Sequence, residues 1–101
     1  MNLKSILNGI DYEIIQGEID VDINKINYDS RKIMASDIFI CIKGYSTDGH
    51  KYIDKAIEKG AKVIVIQDDV NIKNNEITII KSNDTRKTLA LMGANYYDNP
   101  S

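Results

Sequence analysis

The sequence predicts an α/β domain built in three layers around a largely parallel sheet. Three observations carry that expectation. Two apolar runs, Ile38 to Ile42 and Val63 to Ile66, show no polar alternation, which is the pattern of strands covered on both faces. Between them the apolar residues switch to a helical period. The resulting order of strand, loop, helix and strand is a βαβ unit, whose crossover between parallel strands is right-handed.

The elements follow in chain order. Leu3, Ile6 and Leu7 at i, i+3, i+4 predict a short amphipathic helix over 2–7, ended by Asn8-Gly9. Residues 12–16 read as a short strand closed by Gly17, and 23–28 as a second strand through Ile23, Ile26 and Tyr28. A buried strand over 37–43 leads into a loop from Gly44 to Gly49. From His50 onward Tyr52, Ile53, Ala56 and Ile57 form a helical stripe, with Lys51, Asp54, Lys55, Glu58 and Lys59 on the wet side. Gly60 suits the position just past that helix, and 61–66 is the next buried strand. Residues 68–75 form a polar loop, and 77–81 a further strand. Asn83 or Asp84 caps a last helix running to about Tyr96, with Leu89, Met92 and Tyr96 on its inner face and Pro100 as its stop. The whole is expected to be one small Rossmann-like domain over residues 1–101.

Bulk properties remove several function classes. The 101 residues suit one core, and a net charge of −2 with lysines spread from Lys4 to Lys87 offers no basic face for nucleic acid or an anionic membrane. The single cysteine, Cys41, excludes an internal disulfide and reads as a buried small hydrophobe. No apolar run approaches the ~18–20 residues that span a bilayer. The first residues have no apolar stretch of a signal peptide, so a cytoplasmic location is expected.

Two loops fall outside the carboxyl ends of predicted strands, where sheets of this kind bind ligands. One is Tyr28-Asp29-Ser30-Arg31. The other is Gly44-Tyr45-Ser46-Thr47-Asp48-Gly49-His50. Glycines allow close backbone approach, and hydroxyls and an aromatic ring suit a polar, ring-bearing, phosphorylated small molecule. The same composition is more often that of plain turns and helix caps. Read that way, Asp48 is a cap, His50 a first-turn surface or cap residue, Asp29 with Arg31 a local ion pair, and Asp68-Asp69 a solvated turn. A lone histidine without a cysteine cluster gives no expectation of a metal site. There is no Gly-x-x-x-x-Gly-Lys-Ser/Thr loop, no Gly-x-Gly-x-x-Gly, and no legible catalytic triad, so no catalytic residue is expected in the chain.

The spacing of Asp29-Ser30-Arg31, Asp37-Ile38-Phe39, Gly44, Asp48-Gly49-His50, Ile53, Ala56 and Gly60-Ala61 resembles the N-terminal domain of the Mur ligases, ATP-dependent amide-forming enzymes of peptidoglycan synthesis. The resemblance runs over nearly the whole chain. Its close, Asp84-Thr85-Arg86, Leu89-Ala90 and Tyr96-Tyr97-Asp98-Asn99-Pro100-Ser101, is most similar to the group using UDP-N-acetylmuramoyl-dipeptide, the MurE type. One departure is Ala35-Ser36, where the family pattern has Pro-Gly, which leaves the turn before Asp37 open to a different shape.

The resemblance implies a UDP-substrate-binding domain that anchors the uridine-diphosphate end of UDP-MurNAc-L-Ala-D-Glu. Tyr28, Ser30, Tyr45, Ser46 and Thr47 would contact the nucleotide. Asp29, Arg31, Gly44, Asp48, Gly49 and His50 would shape the loops. The Tyr45 ring has two orientations open to it, stacked on uracil or facing solvent. The full-length enzyme is expected to add a diamino acid, lysine or meso-diaminopimelate, using ATP and magnesium in central and C-terminal domains absent from this chain. The 101-residue domain itself would bind no cofactor and be inactive alone. Two alternatives stand beside this: the corresponding domain of the MurF type, disfavoured by the chain's close, and a stand-alone α/β binding module.

Overall fold

The computed structural model describes residues 1–44 and 46–97. Its elements are α1 (Leu3–Ile6), β1 (Glu13–Gln16), β2 (Ile26–Asn27), β3 (Ile38–Ile40), α2 (Ile53–Glu58), β4 (Val63–Ile66), β5 (Thr78–Lys81) and α3 (Thr85–Tyr97). Two 3-10 turns, Ser30–Lys32 and Gly49–Tyr52, complete the set. The sheet order is β1-β5-β4-β3-β2; β5, β4, β3 and β2 run parallel, and β1 joins β5 antiparallel at one edge. Tyr45 and residues 98–101, with the predicted stop at Pro100, lie outside the described residues.

The unbroken apolar runs are explained by a core on each face. Successive strand side chains point to opposite sides. Ile38, Ile40, Val63, Val65 and Ile80 meet α1 and α3 through Leu3, Ile6, Leu7 and Met92. Phe39, Cys41, Ile64, Ile66 and Ile79 meet α2 through Ile53 and Ala56. These are the three expected layers. Asn95 ties α3 to α1 by donating to the carbonyls of Ile6 and Asn8.

The helix ends follow their local chemistry. The Asn2 carboxamide accepts from the Lys4 N–H and caps α1. Asp84 caps α3 through its carboxylate, which accepts from the Lys87 N–H. Gly60 holds φ +110° past α2, and a Cβ there would stand 2.8 Å from the Ala35 backbone, so this turn needs glycine twice over.

Three expectations need correction. The predicted strand over 23–28 pairs with β3 only at Ile26 and Asn27. Upstream, the Asn24 N–H goes to the Ser36 carbonyl and the Lys25 N–H to the Asp37 carboxylate, so the turn before β3 takes donors that a longer strand would have used. The helix predicted from His50 starts as a 3-10 turn and becomes α only at Ile53. At about three residues per turn, Tyr52 rotates off the buried stripe and is 41% exposed. The polar loop over 68–75 does not stand clear of the fold, because Val70 and Ile72 pack against the α2-side core.

The turn before β3 holds one residue in the left-handed region. Ser36 holds φ +68°, a left-handed conformation that glycine adopts freely and serine does not. The buried Asp37 carboxylate locks the turn by accepting from the Met34 and Lys25 N–H groups. Ser36→Gly is therefore expected to stabilise the chain by about 0.5–1 kcal/mol, left-handed strain relieved less the extra freedom of the unfolded glycine. A higher urea midpoint at unchanged slope is the measurement; a lower midpoint contradicts the strain.

Candidate functional site

The carboxyl ends of the parallel strands open onto one cleft of about 760 Å³. Tyr28, Asp29, Ser30 and Arg31 line it from the end of β2, and Ile42, Gly44, Thr47, Gly49 and Tyr52 from the end of β3. Arg86 and Leu89 of α3 form the facing wall. The two loops singled out in the sequence thus meet at a single site.

The first loop is set by Asp29. Its carboxylate accepts from the Arg31 N–H at 2.9 Å and pairs with the Arg31 guanidinium at 3.1 and 3.0 Å. The Arg31 side-chain and backbone hydrogen bonds hold the Asp29 carboxyl down at about 2. Ser30 sits between them, buried, at the floor of the cleft. The Tyr28 ring is 62% exposed at its rim.

The second loop is closed by the Gly44 N–H donating to the Thr47 carbonyl at 2.7 Å, with Lys43 and Asp48 bridged behind it. Ser46 and Thr47 are exposed, and Ser46 is not among the lining residues. Gly49 packs against the end of β3; a Cβ there would stand 2.7 Å from the Ile42 nitrogen, so this crossing excludes any side chain.

Asp48 and His50 lie behind the cleft wall. Asp48 caps the 3-10 turn by accepting from the His50 N–H, as expected. His50 is not the surface residue its sequence context suggested. Its side chain is 7% exposed. Nε2 accepts from the N–H groups of Gln67 and Asp68, at 3.0 and 3.1 Å, so the ring hydrogen sits on Nδ1 and points at Asp48, 2.6 Å away. Burial pushes the Asp48 carboxyl up, but the hydrogen bonds from the His50 ring and N–H outweigh it and lower it overall.

Asp48, His50 and Asp68 bring their ligand atoms within 4.8 Å of one another. A metal ion there would have to displace hydrogen bonds that already occupy both ring nitrogens. Asp68 also pairs with Lys43 at 2.6 Å, and Asp69, 87% exposed, with Lys81 at 2.6 Å, so the acidic pair is a solvated turn as expected, carrying surface ion pairs to two lysines. Burial, with Asp48 adding to it, pushes the Cys41 thiol up, away from the reactive thiolate.

Sequence reasoning missed Ile42, Tyr52, Arg86 and Leu89 as lining residues. The available signal for Arg86 was its place in the first turn of the helix after β5, at the same sheet edge. The Arg86 guanidinium donates to the Lys43 carbonyl at 2.9 Å and so braces α3 against the second loop.

A family model described as Mur ligase family, catalytic domain, matches residues 22–97. The chain belongs to the Mur ligase family. It is 51% identical over 100 residues to a UDP-N-acetylmuramoyl-L-alanyl-D-glutamate–2,6-diaminopimelate ligase of Clostridium perfringens, covering 99% of this chain. To the ligase of the same name in Clostridioides difficile it is 48% identical over 101 residues, the whole chain. The chain spans about one fifth of the length of these relatives, 20% in both cases. A crystal structure of MurF from Acinetobacter baumannii shares the fold, with a TM-score of 0.82 over 99% of this chain and 22% of that one, at 22% identity.

The Asp29 contacts carry a pH dependence. Its folded pKa is depressed, so the loop's contribution is present above the ordinary carboxylate range and is lost as pH falls through about 2. Following the Arg31 Nε–H resonance by NMR, we expect it to hold its paired position at pH 3 and to move only near pH 2. A midpoint near 4 would contradict the pairing.

Proposed function

We propose that this chain is the UDP-substrate-anchoring domain of a Mur ligase of the MurE type. It holds the uridine-diphosphate end of UDP-MurNAc-L-Ala-D-Glu, and the remainder of the enzyme joins a diamino acid to it. The observation that carries the reading is the convergence of the 28–31 and 44–50 loops on one cleft, in a chain about half identical, over its whole length, to diaminopimelate ligases. Those names favour 2,6-diaminopimelate over lysine as the added amino acid. The fold shared with MurF at 22% identity does not separate the two ligase types, whereas the sequence relatives favour MurE.

The cleft suits the uridine end of such a ligand. Tyr28 and Tyr52 offer aromatic faces at its edge, Ile42 and Leu89 apolar wall, Ser30 and Thr47 hydroxyls, and Arg31 and Arg86 positive charge. Tyr45 and Ser46 complete the nucleotide contacts in this reading, Tyr45 from outside the described residues. Gly44, Gly49, Asp48 and His50 hold the second loop, as Asp29 and Arg31 hold the first.

ATP and magnesium, which would activate the substrate carboxylate in the full enzyme, do not fit this cleft. The sequence has no phosphate loop, and the nearby carboxylates Asp29 and Asp48 are committed to Arg31 and His50. They belong, in this reading, to the central and C-terminal domains. No helix among the described residues is long and apolar enough to cross a membrane. The reading carries a cytoplasmic location with it.

Titration of UDP-MurNAc-dipeptide into the chain tests the assignment. Weak binding is expected, since the rest of the substrate site is absent. The amides of 28–31 and 44–50 should shift, with no ATP hydrolysis. If none of those amides moves at millimolar ligand, the site is elsewhere. In the full-length enzyme, Ser30→Ala should raise KM for the UDP substrate and leave KM for ATP unchanged, as loss of uniform binding requires. An unchanged UDP-substrate KM rejects a direct contact from Ser30.

A further inference from the structure

We propose that Gln67, which is not among the lining residues, couples the two walls of the cleft so that the second loop and the first turn of α3 move as one unit. The consequence for ligand binding rests on the anchoring function proposed above; the coupling itself does not.

Gln67 follows β4 directly and is bonded in two directions. Its N–H donates to His50 Nε2 at 3.0 Å. His50 in turn holds Asp48, which adjoins the lining residues Thr47 and Gly49. On the other side, the Gln67 Oε1 accepts from both the N–H and the hydroxyl of Thr85, at 3.0 and 3.2 Å. Thr85 is fully buried and opens α3. Arg86 follows it and Leu89 lies one turn on, and both face the cleft. One residue thus reaches the loop wall through its backbone and the helix wall through its side chain.

One further bond spans the same gap, from the Arg86 guanidinium to the Lys43 carbonyl, and the Lys43–Asp68 ion pair ties the second loop to the segment that Gln67 opens. Both involve exposed side chains, where water competes for the same groups. The Gln67 link is sheltered. Removing its Oε1 leaves two donors of Thr85 without an acceptor, one of them a free N–H of the first helical turn.

Gln67→Leu deletes the acceptor at similar size, and Gln67→Glu keeps two oxygens able to accept both bonds. Amide hydrogen exchange of the 101-residue chain reads the result without a ligand. In Gln67→Leu we expect faster exchange, by about tenfold, the scale of one lost buried hydrogen bond. It should show at Arg86 to Leu89 and also at Gly49 and His50. Gln67→Glu should restore both regions. Faster exchange confined to 85–89 would mean that Gln67 only caps α3, and would overturn the proposal. If Gln67→Leu does not fold, Thr85→Val, which deletes one of the two bonds, is read by the same criterion.

Titration with uridine 5′-diphosphate separates the two ideas. If the wild-type chain binds it and Gln67→Leu binds several-fold more weakly, the coupling serves the site. Equal binding by both would overturn that role. If the wild-type chain shows no shifts, the anchoring function fails, while the exchange pattern still decides whether the walls are coupled.

Discussion

At the carboxyl edge of the sheet, the arrangement depends on a single lone pair, that of His50 Nε2. β4 ends at Ile66, and the next two N–H groups, of Gln67 and Asp68, have left the ladder. Backbone donors sheltered from water must find acceptors. The imidazole supplies one acceptor for both. That choice fixes the rest of the ring, because a nitrogen that accepts leaves the hydrogen to the other, and Nδ1–H is then directed at Asp48. Asp48 in turn caps the 3-10 turn that follows. A backbone requirement of β4 therefore positions a loop that belongs to β3.

The two cores make this edge a firm base. β3 and β4 are buried on both faces, and their side chains alternate between α1–α3 and α2. Little freedom remains for the strand ends. The second loop is pinned at both feet, by the Arg86 bond to the Lys43 carbonyl and by the Gly49 N–H donating to the Ile42 carbonyl. Between them Ser46 and Thr47 are exposed. Hydrogen-bonded feet with an exposed tip leave the polar surface of the loop facing outward.

Which features were legible in the sequence follows from where their partners lie. Burial on both faces writes continuous apolar runs, so β3 and β4 could be read, as could the βαβ order around them. Gly60 ends the helix just before it and Asp84 caps the helix just after it, so those roles were visible too, while the close approach of Gly60 to Ala35 was not. Shortened β2 was not, because the competing acceptors, Ser36 and Asp37, sit 12 residues along in a turn shaped by tertiary packing. Tyr52 was misplaced because a 3-10 turn and an α-helix share the same local pattern until the last residue. His50 was misread for a different reason. Its partners are backbone groups 17 and 18 residues away, and a backbone N–H carries no side-chain signature. The meeting of the two loops could be expected from strand ends alone, while the α3 wall needed the Arg86 contact with Lys43, 43 residues back.

The same commitments limit what the cleft can do chemically. A general base near neutral pH needs a proton affinity close to that pH and a free lone pair. Asp29, held at about 2, is a weak proton acceptor, and its oxygens are occupied by Arg31. Asp48 is lowered as well, and is taken by His50. His50 has no free nitrogen, and the Cys41 thiol is buried behind the strand and pushed up. Asp29, Asp48, His50 and Cys41 are thus each already engaged in holding a loop or buried. What is left facing the cleft among the described residues is rings, hydroxyls, apolar wall and two guanidinium groups. The hydrogen bonds that hold the two loops in place are the same ones that occupy these ionisable groups, so the shape of the site and the pairing of its charges have one source.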